Sequence, residues 1–403
     1  MKLAVIGGGA AGFFAAIHGA QRGLETVILE KSNKILAKVK VSGGGRCNVT
    51  NVVTDPTLLV KNYPRGHRGE LRGPFTKFST IDTVNWFELK GVKIKAEADG
   101  RMFPVTDSSQ TIIDCLVAES KMNNIKIHTG STVTKIERSE NGFLLELDST
   151  LSLYFDYVIV ATGGSPNLSS YSWLVNLGHT IIPPVPSLFT FNIPDSPFIK
   201  IMGVSVQDVK IKILNSAFEE NGPLLFTHWG ISGPAVLKLS AWGARWLAEN
   251  GYNFSISINF IPPFNEEQVY EKLMEHSFQN KLKKVCNTSQ FNIPSRLWEL
   301  LCKRTSIDEH KRWSETSKAS LRKLSQQLVA CQLNVKGKTT FKEEFVTCGG
   351  VDLKEVNMKT MESKLIPGLY FAGEILNIDG VTGGFNFQAA WTTGFIAGSS
   401  IKV

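Results

Sequence analysis

The residues best placed to do chemistry stand at the start of the chain. Gly7-Gly8-Gly9-Ala10-Ala11-Gly12 is a G-x-G-x-x-G run, preceded by the apolar stretch 2–6 and followed by the small, apolar stretch 13–22. In a strand–turn–helix context these glycines have separate tasks. Gly7 permits the tight turn, Gly9 lets backbone approach a pyrophosphate, and Gly12 lets the helix pack closely on the strand. The helix N-terminus then offers N–H groups and the positive end of its dipole to phosphate. Glu30 closes the apolar run Thr26–Leu29, where a carboxylate can accept both ribose hydroxyls. A carboxylate there disfavours a 2′-phosphate, so the pattern points to FAD or NAD rather than NADP. No second fingerprint of this kind follows, so a dedicated NAD(P)H domain is not expected. A pyridine nucleotide would bind transiently, or oxygen would accept the electrons directly.

Other stretches concentrate backbone N–H groups. Ser42-Gly43-Gly44-Gly45-Arg46-Cys47-Asn48 combines three glycines with one guanidinium, and can approach a cofactor without side-chain obstruction. Cys47 falls where disulfide reductases carry a redox cysteine pair, but the next cysteine is Cys115, and flavin–disulfide exchange needs two thiols. Cys47 is therefore expected to pack as a small, polarisable wall. His228, among Thr227, Trp229 and Gly230, is the one acid/base candidate singled out; His67 and Arg101 are weaker. Neither G-x-S-x-G nor H-E-x-x-H occurs, so hydrolase and metalloprotease chemistry has no support.

These residues need elements to hold them. Residues 2–6, a helix over 13–22 closed by Gly23, and 26–29 read as a βαβ unit of a parallel, doubly wound sheet. Tyr157–Val160 running into Ala161-Thr162-Gly163-Gly164, and Leu369–Ala372 running into Gly373-Glu374, read as further central strands. Short strands are expected at 125–128, 132–137 and 143–147. The middle of the chain alternates in period two (Val209-x-Ile211-x-Ile213, Phe254-x-Ile256-x-Ile258-x-Phe260), the mark of antiparallel strands with one exposed face. Helical patterns occupy roughly 266–284, 295–304 and 315–331, the first opened by an Asn265…Gln268 capping box. The expected fold is α/β: a Rossmann-like cofactor domain over 1–186 and 342–403, an inserted antiparallel β-barrel-like domain over 187–264 and 332–341, and a helical subdomain over 265–331.

Composition narrows the class. The 403 residues are 42% hydrophobic and 20% charged, an ordinary globular balance with no low-complexity tract. Six cysteines are scattered with no C-x-x-C, which argues against a zinc ribbon or disulfide framework and fits a reducing, cytoplasmic compartment; no metal site is expected. The uncharged run 3–17 is too short to span a bilayer, so no membrane association is expected. Net charge is +8, and half of it lies between Glu266 and Lys323, with 12 Lys/Arg against 8 Asp/Glu. Residues 61–77 add Lys61, Arg65, Arg68, Arg72 and Lys77 against Glu70. Such patches can bind nucleic acid, but mixed charges on helices more often form a solvated face, and no RNA-binding module is present.

The fingerprint, the Ala161–Gly164 turn and Gly373-Glu374 together resemble FAD-binding proteins of the glutathione-reductase class. More narrowly, 42–48, Gly100-Arg101-Met102-Phe103-Pro104, 225–234, Thr347-Cys348-Gly349-Gly350-Val351, 360–364 and 373–388 resemble, in order, the HI0933-like (YhiN or BaiN-like) flavoprotein family. The resemblance implies FAD and a set of cofactor contacts: Gly7, Gly9, Ala11, Gly12, Glu30, Lys31, Gly43, Gly44, Arg46, Cys47, Asn48, Val133, Thr162, Gly163, Gly373, Glu374, Gly384, Phe385 and Asn386. It also implies that the helix entered at Gly384 points at the flavin near N1 and O2, where its dipole favours negative charge on reduced flavin. Where the family often has a glycine-rich stretch after Gly164, this chain has Pro166–Trp173, so substrate assignments are not carried over. The function expected is FAD-dependent hydride transfer between flavin N5 and a small organic molecule. An RNA-modifying or nucleic-acid-binding flavoprotein is the alternative.

Overall fold

A computed structural model describes residues 1–66, 69–148, 151–339 and 346–402. The chain divides into two compact units, Met1–Ser187 with Phe341–Val403, and Leu188–Thr340.

The first unit is built on a seven-stranded sheet. Five strands run parallel in the order Leu369–Phe371, Tyr157–Val160, Lys2–Ile6, Glu25–Glu30 and Lys126–Thr129; Glu362–Ser363 and Val356–Asn357 extend one edge in antiparallel fashion. Register is set in the middle, where Ile6 lies between Val160 and Leu29. The central strands are apolar on both faces because both faces are covered: Leu3, Ala4, Val5, Val158, Ile159 and Val160 are completely buried. Two small sheets accompany it, Thr50–Asn51 with Arg101–Pro104 and Ile94–Ala96, and Val133–Ser139 with Gly142–Leu147 and Leu151–Phe155. Ile181–Ser187 pairs with Val346–Val351.

One crossing ties this unit together. The first helix, Ala10–Gln21, lies against the last, Phe385–Ser399. Their backbones approach so closely that a Cβ on Gly394 would sit 2.6 Å from the Ala11 carbonyl oxygen, and one on Gly398 would sit 2.3 Å from that of Ala15. Aromatic rings fill the flank: Phe14 is 4.8 Å from Trp391 and 4.5 Å from Trp86, centroid to centroid.

The second unit carries a seven-stranded antiparallel sheet that includes Ser205–Ile213, Glu219–Phe226, Asn253–Asn259 and Cys331–Lys336. The alternating residues Val209, Ile211, Ile213, Ile256 and Ile258 all point inward. Helices Glu266–Gln279, Ser295–Arg304 and Lys318–Val329 follow, and the Asn265/Gln268 capping box is formed in both directions. The region expected as a separate helical subdomain, 265–331, shares one hydrophobic core with the sheet, through Val269, Leu273, Leu297, Trp298, Leu321 and Leu328. Amphipathic helices of this length bury their apolar faces most readily on an existing core. The first of them stops at Gln279, short of the expected 284, because residues 281–285 leave the helix to pair with 311–314.

A buried histidine gives this fold an acid-sensitive point. His18, on the first helix, donates Nδ1–H to the Phe14 carbonyl at 2.8 Å, among Phe14, Trp86 and Phe395. Burial lowers its pKa from 6.5 to about 4. The folded state therefore resists protonation that the unfolded chain accepts. Stability is intact above pH 6.5, declines as the pH falls, and has lost this contribution, about 3 kcal/mol, below pH 4. Melting curves across that window should show a His18→Leu variant losing less than the native chain. Parallel losses would assign the acid sensitivity elsewhere.

Candidate functional site

The glycine turn has the geometry needed to take a phosphate. Gly7 adopts φ +112° and donates its N–H to the Leu29 carbonyl at 2.8 Å. A Cβ on Gly12 would sit 1.9 Å from the Gly7 carbonyl oxygen, so only glycine lets the helix start there. Gly9 is different. It caps the helix with φ −92°, and no protein atom lies within 4 Å of where its Cβ would be. That open space, at the end of a helix whose first N–H groups lack intrahelical partners, is the cradle a pyrophosphate needs. The Glu30 carboxylate is held by two backbone donors, Gly8 N–H at 2.7 Å and Ser32 N–H at 2.8 Å. A carboxylate has about four acceptor sites, so two remain for ribose hydroxyls. Lys31 beside it is exposed.

The 42–48 segment is a succession of left-handed residues, Gly43 (φ +58°), Gly44 (+69°), Gly45 (+85°) and Cys47 (+61°). Space around Gly44 and Gly45 is open in the same sense as at Gly9. The Arg46 side chain, expected to face the cofactor, pairs with Glu97 at 2.6 Å and Asp107 at 3.6 Å and lies 4.0 Å over the Phe103 ring. Its charge is answered within the protein, by residues too far along the chain for any motif to reveal. Cys47 is completely buried, and burial pushes its thiol up to about 12, with a weaker opposing contribution from Ser42. It is a thiol, not a thiolate, at physiological pH.

The last helix is entered through Gly384, at φ +91°, where a Cβ would sit 2.3 Å from the Thr50 carbonyl oxygen. The Asn48 amide accepts from Gly384 N–H at 2.9 Å and donates to the Thr50 carbonyl at 3.1 Å. Asn386 receives Gly380 N–H at 2.8 Å and donates to Gly380 O at 2.9 Å; Tyr63 donates its hydroxyl to the Phe385 carbonyl at 2.7 Å. The 42–48 segment and the last helix are thus joined at Asn48.

Gly373 donates to Thr393 Oγ1 at 2.8 Å, and Glu374 is engaged by Lys38 Nζ at 2.8 Å and by Thr347 N–H at 2.7 Å. Gly163 (φ +73°) has open space around it, Thr162 is exposed, and Val133 is half-buried at the start of its strand. His228 lies in the second unit, exposed at the turn between Glu219–Phe226 and Gly230–Ser232, with its ring 4.1 Å from that of Trp229. His67 and Arg68 lie outside the described residues. Arg65, counted among the surface cations, instead pairs with the fully buried Asp379, which also accepts from Ser187 Oγ at 2.7 Å. Arg101 pairs with Asp99 and Glu97.

Several residues that organise the site carry no motif of their own. Gln388 accepts from Thr50 at 2.6 Å and Thr83 at 2.9 Å and donates to Thr392 at 3.0 Å, a fully buried network that fixes the last helix. Thr347, also buried, has no hydrogen-bond partner for its hydroxyl among the described residues, although its N–H meets Glu374. Four or more residues separate the members in sequence, and only their shared polarity inside apolar stretches hints at them.

Two substitutions separate folding from cofactor binding. Gly9→Val should fold normally, because its side chain meets no protein atom, yet release FAD on gel filtration. Gly12→Ala should fail to fold, or lose roughly 3 kcal/mol or more in urea melts. FAD retained by Gly9→Val would contradict the phosphate assignment. Cys47→Ser should keep FAD and dithionite-reducible flavin; loss of reducibility with FAD still bound would return Cys47 to an electron-carrying role.

Comparison with known proteins agrees with this geometry. The HI0933-like protein Rossmann domain matches residues 1–400. The chain is 31% identical to the ribosomal RNA dihydrouridine synthase of Escherichia coli K12, over 96% of this chain and 95% of that one. It is 30% identical to the 3-dehydro-bile acid delta(4,6)-reductase of Clostridium scindens, over 98% of both. Among solved structures, a 3-ketosteroid-delta4-(5alpha)-dehydrogenase from Rhodococcus jostii shares the fold with a TM-score of 0.54 at 15% identity, covering 99% of this chain and 96% of that one. The open cradle at Gly9, the helix start above it and Glu30 fit FAD, and the chain belongs to the HI0933-like family of FAD-dependent oxidoreductases.

Proposed function

We propose that this protein reduces a carbon–carbon double bond conjugated to a carbonyl, and that the bond is C5=C6 of a uracil in ribosomal RNA. The observation that carries the RNA assignment is the distribution of charge. Residues 188–340 hold 19 Lys/Arg against 13 Asp/Glu, which is six of the chain's eight surplus positive charges. An uneven positive field of this kind favours a polyanionic substrate.

The reaction class is supported by what two relatives' names have in common. Dihydrouridine is uridine reduced across C5=C6, and a 3-dehydro, delta(4,6) steroid is an unsaturated ketone. Reduction of a double bond conjugated to one carbonyl adds hydride to the β carbon and a proton to the α carbon, which for uracil are C6 and C5. Bound and reduced FAD supplies the hydride.

The chain's own residues bind, orient and exclude. Gly9 and the N–H groups of the first helix hold the pyrophosphate, and Glu30 holds the ribose. Helix residues Phe385 and Asn386, fixed by Tyr63 and Gly380, keep the last helix's positive end steady toward the flavin. Cys47 contributes an uncharged wall. A small unsaturated ketone is the second reading, supported by the bile-acid reductase relative.

Nucleoside analysis of ribosomal RNA tests the proposal. Cells lacking this protein should lose a dihydrouridine that the native chain restores and Gly9→Val does not. An unchanged dihydrouridine content, with the reduced holoenzyme reoxidised by a 4-en-3-one steroid, would replace RNA with a small-molecule substrate.

A further inference from the structure

Among the basic residues of the second unit, several are already engaged. Arg296 donates to the Lys200 and Met202 carbonyls, Lys303 pairs with Glu299, Arg304 with Gln327, and Arg322 with Glu267 while lying 3.8 Å over the Tyr270 ring. One group differs. Lys281, Lys283, Lys284, Lys311 and Arg312 form no ion pair with any carboxylate among the described residues, and all but Lys311, which is half-buried, are exposed.

They are brought together by a short two-stranded ribbon. Val285 N–H donates to Lys311 O at 3.0 Å, Trp313 N–H to Lys283 O at 3.1 Å, and Ser314 N–H to Lys281 O at 3.1 Å; Lys284 and Arg312 face each other as a bridge pair. The ribbon is anchored from beneath. Val285 and Trp313 are completely buried, Trp313 donates to Thr288 at 2.6 Å, and Trp298 donates to the Val285 carbonyl at 2.8 Å. The neighbouring carboxylates are turned to other work. Asp308 accepts His310 N–H, Glu309 faces His310 and Lys303, and Glu315 accepts Arg312 N–H. Lys284 Nζ lies 3.4 Å from His310 Nδ1.

Two large apolar side chains accompany the cations in the same stretch. Phe278, at the end of its helix, is 67% exposed, and Leu282, between two lysines, is 78% exposed. Exposed apolar groups among uncompensated cations are unfavourable for an isolated surface. They suit a partner that offers phosphates and unstacked bases together.

We infer that this ribbon is the surface on which the protein holds ribosomal RNA, with Lys281, Lys283, Lys284, Lys311 and Arg312 on phosphates and Phe278 against an unpaired base; the inference rests on the RNA reading above. Because its backbone is pinned by buried tryptophans, the ribbon presents its cations with little ordering cost on binding.

The test uses the FAD-loaded full chain, a fluorescent ribosomal RNA fragment containing the modified uridine, and anisotropy titrations from 50 to 300 mM salt (on the order of the range over which phosphate contacts are lost). Lys281→Ala/Lys283→Ala/Lys284→Ala/Arg312→Ala should bind at least about tenfold more weakly, with a log–log salt slope shallower by about 3. Phe278→Ala should weaken binding several-fold without changing the slope. A control with Lys212, Lys318, Lys323 and Lys336 changed to alanine removes equal charge from elsewhere in the unit and should bind nearly as the native chain does. Bound-flavin absorbance verifies that each variant is folded. Native protein that binds RNA and forms dihydrouridine, with the ribbon variant equally tight or the control equally weak, would overturn the ribbon and leave the function standing. Native protein that neither binds RNA nor affects dihydrouridine would overturn both. Binding to vesicles of anionic lipid in place of RNA would reassign the ribbon to a membrane surface.

Discussion

Two glycines on the last helix let it touch the backbone of the first, and the rest of the cofactor unit depends on that contact. Gly394 lies against the Ala11 carbonyl and Gly398 against that of Ala15, with no room for a single carbon between them. The two helices are more than 350 residues apart in sequence, yet their backbones touch. If either helix moved away by the width of a methyl group, the N-termini at Gly9 and Gly384 would no longer be set at a fixed separation. The polar network from Thr50 and Thr83 through Gln388 to Thr392, and the Trp391–Phe14 packing, lock the crossing that the glycines permit.

Much of this was legible in the sequence because it is local. The fingerprint needs only adjacent residues, and the fully apolar strands and period-two strands each announce their own burial. The Asn265–Gln268 capping box is complete within four residues. What was not legible depends on partners from far away. Arg46 gives no local sign that Glu97 and Asp107 will be placed beside it. Arg65 looks like a surface cation until it meets Asp379. Residues 281–284 continue a helical pattern, yet their backbone groups bond instead to 311–314, which no window of local sequence contains.

The chemistry follows from this division of labour. Within the cofactor unit, 25 Lys/Arg nearly balance 23 Asp/Glu, and Cys47 stays neutral because burial raises its thiol pKa. The inserted unit carries most of the surplus positive charge, in a segment whose helices share the core of an antiparallel sheet. Family membership gives FAD-dependent redox chemistry, and in the proposed reading the inserted unit's charge selects the substrate. Family members that differ in substrate are then expected to differ more in the second unit's surface than in the helix crossing.

Reduction of a uracil in RNA requires electrons to leave this protein's flavin for the C5=C6 bond. Anaerobic stopped-flow measurement of the photoreduced holoenzyme addresses it directly. Mixing with a ribosomal RNA fragment that carries the target uridine should restore the oxidised flavin spectrum in one turnover and form one dihydrouridine. The same fragment with dihydrouridine already in place should leave the flavin reduced. Flavin that stays reduced with the uridine-containing RNA, or that reoxidises equally fast with both, would contradict the account.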